Sequence, residues 1–415
     1  MISVARRGVV IGYRCVMTDS DPVLRDATED DWPKIALLTS VSYGADWRDE
    51  TFASWRTALA ADGSVVVADG DHIVGMAHYL DFRLTVPGGA VLPVAGITWV
   101  GVAPTHRRRG LLRDMYTELH RRFESNGYSV AALTATEGGI YGRFGYGAAT
   151  VETELSVDRR FARFHRDAAD PGGVRIVRPL EHRDELVEIY DRYRRATPGG
   201  LERPAALWDD LLSDWEGSRG GGTPWLCALH DDGYLLYRMH RDGSRSVRVE
   251  EFTAVTADAH AALWRTLVGI DLAETITIAS HPADPLPYLL TDARRVRTTR
   301  VQDDLWLRLM DVAAALAART YAADLDTVLD VRDDFRSDGG RFALSVRDGR
   351  AQCVRTEARP EFTLDLDVLG AVYLGVHHVT TLAAANRIRG GTPESLARLD
   401  AAFRCDVPAR LGFGF

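Results

Sequence analysis

Apolar positions recur along the chain with two periods. Leu112, Met115, Tyr116, Leu119 and Phe123 fall at helical spacing with Arg113, Asp114, Arg121 and Arg122 between them. This pattern predicts an amphipathic helix from about Gly110 to the stop pair Asn126-Gly127. Upstream, Ile97–Val102 is β-prone, and Pro104 ends the strand because proline has no N–H and a fixed φ. Asp26-Ala-Thr28-Glu-Asp-Asp31 reads as a helix start, with Trp32, Ile35, Leu37 and Leu38 as the apolar face. A second helical segment carries Phe52, Trp55 and Leu59. Gly63–Tyr79 holds two β-prone runs around an Asp-Gly turn, a hairpin signal. Val86–Ala90 is a further turn, and Ser129–Leu133 is a buried-type strand leading into the glycine- and aromatic-rich stretch Gly138–Gly147.

Beyond residue 150 a linker is expected at Asp167–Gly173. Helices follow around Leu186–Tyr193 and Leu207–Trp215, then a loop at Gly220–Gly222, strands near Leu226 and at Tyr234–Met239, and a helix over about Ala257–Leu272. This helix–helix–strand order repeats the first unit without its arginine-rich turn, as in a degenerate copy. From Leu305 a third, α+β unit has a helix at Val312–Ala318, strands at Ala343–Val346 and Phe362–Leu366, and helices after Leu369 and Ser395. The expected division is a disordered or over-long arm at 1–25 and units at 26–155, 156–305 and 306–415, with translation starting at Met1 or Met17.

Composition narrows the chemistry. The 415 residues are 46% hydrophobic and 26% charged, which suits several soluble globular domains. No apolar run approaches the ~20 residues of a membrane span. Residues 1–16 do not read as a signal peptide, since Gly8–Gly12 is short and Arg14 interrupts it, so a cytoplasmic location is expected. The net charge of −9 argues against nucleic acid as a general partner and accords with a cationic substrate. Cys15, Cys227, Cys353 and Cys405 lack Cys-x-x-Cys spacing and read as reduced thiols; no metal site is expected. One lysine, Lys34, stands against 49 arginines, and it follows no glycine-rich loop, which argues against P-loop and pyridoxal chemistry.

The strand–turn–helix at Ile97–Phe123 is the place where chemistry is expected. A helix N-terminus presents free N–H groups and the positive end of the macrodipole, and Arg107-Arg-Arg109 beside it favour a pyrophosphate.

The order helix, helix, antiparallel strands, splayed strand, helix, strand, aromatic turn resembles the GCN5-related N-acetyltransferases, carried by Val100-Gly-Val-Ala-Pro-Thr-His-Arg-Arg-Arg-Gly110. In that family an Arg/Gln-x-x-Gly-x-Gly/Ala loop wraps the acetyl-CoA pyrophosphate. Here Arg107 and Gly110 match, whereas Leu112 replaces the small residue. Almost everything after Asp26 is similar to the Eis (enhanced intracellular survival) family of aminoglycoside N-acetyltransferases. The similarity rests on Thr28-Glu-Asp-Asp-Trp-Pro33, Ala103–Arg113, Glu137–Gly147, Val157–His165, Thr253–His260 and the terminal aromatic residue. It implies two tandem acetyltransferase-like domains, the second degenerate, followed by a sterol-carrier-protein-like α+β domain. It also implies acetyl-CoA as co-substrate, a polyamine or aminoglycoside acceptor, protein lysine amines as a further acceptor class, and a homo-hexamer.

Residue roles follow from that resemblance. Backbone amides of Arg108, Arg109, Gly110, Leu111, Leu112 and Arg113 would hold the pyrophosphate, with Thr136 and Glu137 also on the cofactor side. Val100, Gly101 and Val102 would pair with the pantetheine amides, and a strand amide near Val102 would meet the oxyanion. Tyr141 would protonate the CoA thiolate; phenol and thiol differ by only ~1.5 pKa units at reference values. Tyr146 is assigned to packing. The carboxylate of Phe415 would accept the amine proton through water or in a desolvated site, because an α-carboxylate is ordinarily a weak base. Gly414 stands where an acidic residue is expected. Tyr43, Asp46, Trp55 and Trp99 would contact the acceptor, and His106, His377 and His378 read as structural. The competing reading is a non-catalytic lipid-binding or scaffold protein whose acetyltransferase folds are relics.

Overall fold

The structure, a computed structural model, describes residues 21–44, 49–241 and 243–415. Three sheets organise it. In the first, β1 (Val23–Asp26) pairs antiparallel with β2 (Leu59–Asp69), and α1 (Trp32–Tyr43) and α2 (Asp49–Ala58) lie between them in sequence. The strands β2, β3 (His72–Thr85) and β4 (Val91–Val102) form an antiparallel meander. Helix α3 (Leu111–Ser125) then crosses to β5 (Val130–Thr134), which runs parallel to β4. The strand Leu305–Leu309 lies between β5 and the short β6 (Gly147–Ala148).

Local chemistry fixes these elements. Thr28 and Asp31 form a capping box ahead of α1. Arg25 donates to Asp31 at 2.6 Å and, with the Thr28 bonds, holds that carboxyl well below the usual range. The buried face of α1 is Ile35, Leu38 and Thr39. Leu37, expected on that face, is 67% exposed. It is two residues from Ile35, about 200° around the helix, so it points away from the sheet. Helix α3 buries Met115, Tyr116, Leu119 and Phe123 on the first sheet as expected, with Leu111 buried in place of the expected Leu112, which is only half-buried.

The second sheet repeats this plan. Strands Leu226–His230, Gly233–Arg241 and Arg245–Ala254 form the meander, and Thr275–Ser280 runs parallel to the last of them. Helices Arg183–Ala196 and Ala205–Ser213 precede the meander, and Ala257–Val268 takes the place of α3. Only Val255 and Thr256 link strand to helix here, against Ala103–Gly110 in the first unit. The third unit has a five-stranded sheet and four helices of its own.

The expected unit limits fall inside strands. Residues 23–25 of the expected arm belong to β1, which the limit at 25/26 cuts; residues 1–20 lie outside the described residues. The limit at 155/156 cuts Val151–Asp158, which belongs wholly to the second sheet. The limit at 305/306 cuts Leu305–Leu309, all five residues of which are buried in the first sheet. Sequence separation does not decide partners here; burial and register do. One apolar core is accordingly shared, running from Leu80, Phe82 and Leu84 through Leu305 and Leu307 to Leu344, Leu369 and Phe403.

Candidate active site

The parallel pairing of β4 and β5 runs from Val94–Val130 to Ile97–Leu133 and then stops. Opposite β3, the register of β4 shifts by one residue between Thr98 and Gly101. This bulge turns β4 away from β5. Trp99 sits in it at φ +48°, a strained value for a bulky residue. Its ring is held by Phe52, stacked at 4.7 Å, and by Trp55 and His78. His78 is buried without a charge partner, and desolvation pushes its pKa down to about 3. The wedge between the strands is therefore braced from behind by neutral rings.

The C-terminal segment reaches this wedge. The Phe415 ring packs edge-on against Phe82 at 4.9 Å, and the Thr134 hydroxyl donates to the Phe415 main-chain oxygen at 3.0 Å. A Cβ at Gly96 would meet the rings of Phe82 and Phe415 at 2.5 and 3.0 Å, so glycine there makes the space that both rings fill. Tyr43, Trp55, Thr98, Trp99, Val100, Tyr116, Thr134, Thr136, Tyr141, Gly414 and Phe415 line a cavity of about 280 Å³ at this point.

Tyr141 lies on the tight turn Tyr141–Phe144 and is 8% exposed. Burial raises its pKa, and the Glu137 carboxylate adds to the rise, so the phenol keeps its proton through neutral pH. Tyr43 donates to the Val100 carbonyl at 3.2 Å, and its pKa is pushed up to about 12 by burial, with the Tyr141 phenol adding. That carbonyl retains a second lone pair for another donor. Trp55 is fixed by its indole N–H, which donates to Asp210 at 3.0 Å. Trp99 reaches the cavity wall, but at 4% exposure it is chiefly a strut.

Most of the residues expected on the cofactor side lie around the N-terminus of α3 and form a cradle there. Gly110 caps α3 at φ +89°, and Arg108 also takes the left-handed conformation, at φ +65°. This turns the first amides of α3 outward, where Leu111, Leu112 and Arg113 have no intrahelical acceptor. Arg108 and Arg109 are exposed beside them, and Arg113 lies over the Phe335 ring at 4.9 Å. Leu112 is half-buried against the apolar cluster under α3. Gly101 and Val102 continue β4 beyond the cavity wall. Glu137 accepts from the Ile140 amide and is exposed. Asp46 lies outside the described residues.

Tyr146 is fully buried, with its hydroxyl 2.9 Å from His120 Nε2. His106 pairs with Asp69 and His378 with Asp400. Three polar cavity residues, Thr98, Tyr116 and Thr134, are not singled out by the sequence pattern. Thr134 looks like the frayed end of a buried strand, and Tyr116 looks like one more apolar helix position. The Tyr116 hydroxyl is buried without a hydrogen-bond partner, which an ordinary core tyrosine avoids. A polar residue directly after Val130–Leu133 was the available signal for Thr134.

The chain is similar to known proteins over most of its length. A family model described as an acetyltransferase (GNAT) domain matches residues 23–149, another of the same description matches 199–309, and a sterol carrier protein domain matches 312–410. The N-acetyltransferase Eis of Mycobacterium tuberculosis is 56% identical over 401 residues, covering 94% of this chain and 98% of its own. An uncharacterized N-acetyltransferase of Streptomyces avermitilis is 37% identical over 96% of this chain and 100% of its own. The crystal structure of Eis1 from Mycobacterium abscessus superposes with a TM-score of 0.85 at 30% identity, over 95% and 100% of the two chains. The expected order of two acetyltransferase domains and one sterol-carrier domain is therefore observed, and the enzyme reading stands over the scaffold one. The chain is an N-acetyltransferase of the Eis family.

Proposed function

We propose that the enzyme transfers acetyl groups from acetyl-CoA directly to amines of aminoglycosides within a ternary complex. The observation that carries this reading is the meeting of Tyr141 and Phe415 at one cavity in the wedge between β4 and β5. The outward amides of α3 and the open edge of β4 suit the pyrophosphate and the pantetheine amides, and the bound thioester supplies the acetyl carbon. The Phe415 carboxylate, steadied by Thr134, takes a proton from the acceptor amine, directly or through one water, as the amine nitrogen bonds to that carbon. A β4 amide near Val102 stabilises the oxyanion. Tyr141 gives its proton to the departing thiolate when the C–S bond breaks, and solvent returns it.

An aminoglycoside is favoured by charge. Beside the wedge, and sharing Gly414 with it, lies a cavity of about 340 Å³ whose lining carries Glu152, Glu154, Glu250, Glu251 and Asp304 against Arg248, Arg300 and Arg410, an excess of carboxyl groups. Such a wall suits an acceptor with several ammonium groups. The test is mass spectrometry of the products from kanamycin-type acceptors and from a lysine peptide, counting acetyl groups. Acetylated aminoglycoside is expected; acetylation of the peptide alone would replace this acceptor class with protein lysine. Assembly as a homo-hexamer belongs to the same reading, and sedimentation of the purified protein checks it.

A further inference from the structure

The second unit has a wedge too. Its parallel pairing runs from Ser246–Thr275 to Val249–Ile278 and stops, with a one-residue register shift just beyond, between Val249 and Glu251. In the first unit the last pair is Ile97–Leu133; three residues on in the first strand is Val100, and one residue on in the second is Thr134. The same steps from Val249–Ile278 lead to Phe252 and Ala279. In the first unit these positions bond Tyr43 and Phe415. In the second, both backbone carbonyls accept from one side chain: Arg410 donates to Ala279 at 2.9 Å and to Phe252 at 3.5 Å.

The degenerate wedge is thus spanned by the chain's own C-terminal segment, and the two-residue link before Ala257–Val268 leaves no pyrophosphate loop beside it. From Arg410 the segment follows a built track. The Arg410 amide donates to Pro198 at 2.8 Å, and Leu411 is buried. A Cβ at Gly412 would fall 2.4 Å from the Tyr190 hydroxyl. Phe413 sits 4.6 Å from the Arg203 guanidinium and edge-on to Phe82 at 5.9 Å. Two residues later Phe415 reaches Thr134.

We infer that the wedge of the second acetyltransferase-like unit has become the anchor for the C-terminal segment, with Arg410 as the positioning residue that places Phe415 in the wedge of the first. This rests on the reading of Phe415 as the base. A guanidinium suits the task, because its planar fork can bridge two carbonyls on separate strands. Asp304 and Glu152 line the same cavity and balance its charge. Arg410 lines the acidic cavity beside the wedge, but its guanidinium is committed to the Phe252 and Ala279 carbonyls, so it acts through the segment it holds.

The test compares the full-length protein with Arg410→Gln, and with Arg410→Lys, which keeps the charge but not the fork. Two quantities are read: release of Phe415 by carboxypeptidase A, and kcat against KM. In Arg410→Gln, release is expected to rise about tenfold and kcat to fall about tenfold or more, since small misplacement of a reacting group is costly. KM for acetyl-CoA is expected to stay within about twofold, because the cradle at α3 is untouched. Arg410→Lys is expected to lie between the two, and unchanged acetyl-CoA affinity by calorimetry shows that each variant is folded. Unchanged release of Phe415 would overturn the anchor. Faster release with kcat untouched would leave the anchor standing and overturn the role of Phe415 as base, so the two failures read differently.

Discussion

At the scale of single residues, the proposed acetyl transfer rests on protonation states set by burial. Tyr141 donates only while it is a phenol, and burial together with Glu137 raises its pKa above the ordinary tyrosine value. The kcat profile should therefore show no alkaline fall from this group below about pH 10; a pH–rate series between 6 and 10 checks it. Tyr141→Phe keeps the ring in its apolar cluster and removes only the proton. It should lower kcat by about 10²- to 10⁴-fold with little change in KM for acetyl-CoA, measured by thiol release. Tyr141 and Phe415 were legible through family resemblance, not through pattern: an aromatic among glycines and an apolar terminus are compatible with plain packing. Thr134 and Tyr116 were missed, because the one signal, a polar residue closing a buried run, is the same whether it faces core or cleft, and Tyr116 sits mid-helix at an ordinary apolar position.

At the scale of elements, the wedge depends on a turn and a bulge. Gly110 adopts φ +89°, and nothing lies within 4 Å of where its Cβ would be, so the requirement is conformational and not steric. A β-branched residue in the left-handed region costs about 1–2 kcal/mol. Gly110→Val should accordingly weaken acetyl-CoA binding about tenfold, with the α3 amides re-aimed; calorimetry measures it. Helix α3 was legible because five apolar positions keep strict helical spacing against charged neighbours. The bulge at Trp99 was invisible, since it arises from a mismatch between two strands and no single stretch encodes it. Val296–Asp303 was also unread: it is an edge strand whose residues are mostly exposed, so apolar alternation is missing.

At the scale of the whole molecule, the units are joined through buried polar contacts as well as a shared core. Arg308 bonds Asp333 of the third unit at 2.6 Å and the Phe144 carbonyl, on the turn that carries Tyr141, at 2.8 Å. Arg308→Ala strands a buried carboxylate and should cost about 3–5 kcal/mol in denaturant unfolding. Asp304 gives the pH dependence. Burial, with Glu152 and Asp303 nearby, raises its pKa from 3.8 to about 7, while Arg410 and the Thr150 hydroxyl oppose the shift. A carboxyl raised in the folded state binds its proton more tightly there, so its contribution is fully present below pH 3.8 and is lost as pH rises towards 7. Asp304→Asn should thus reduce the loss of melting temperature between pH 5 and pH 8. Three units and their classes were legible in the order of elements. Their limits were not, because Leu305–Leu309 finds its partners across more than 150 residues of chain.

The central claim is that Phe415 brings the base to the wedge that Tyr141 faces. Its most direct test is turnover by a protein with one glycine appended after Phe415, which moves the carboxylate off Thr134 and leaves every other side chain in place. The account predicts unchanged acetyl-CoA affinity and kcat for an aminoglycoside reduced about a hundredfold or more; wild-type turnover from the extended protein would contradict it.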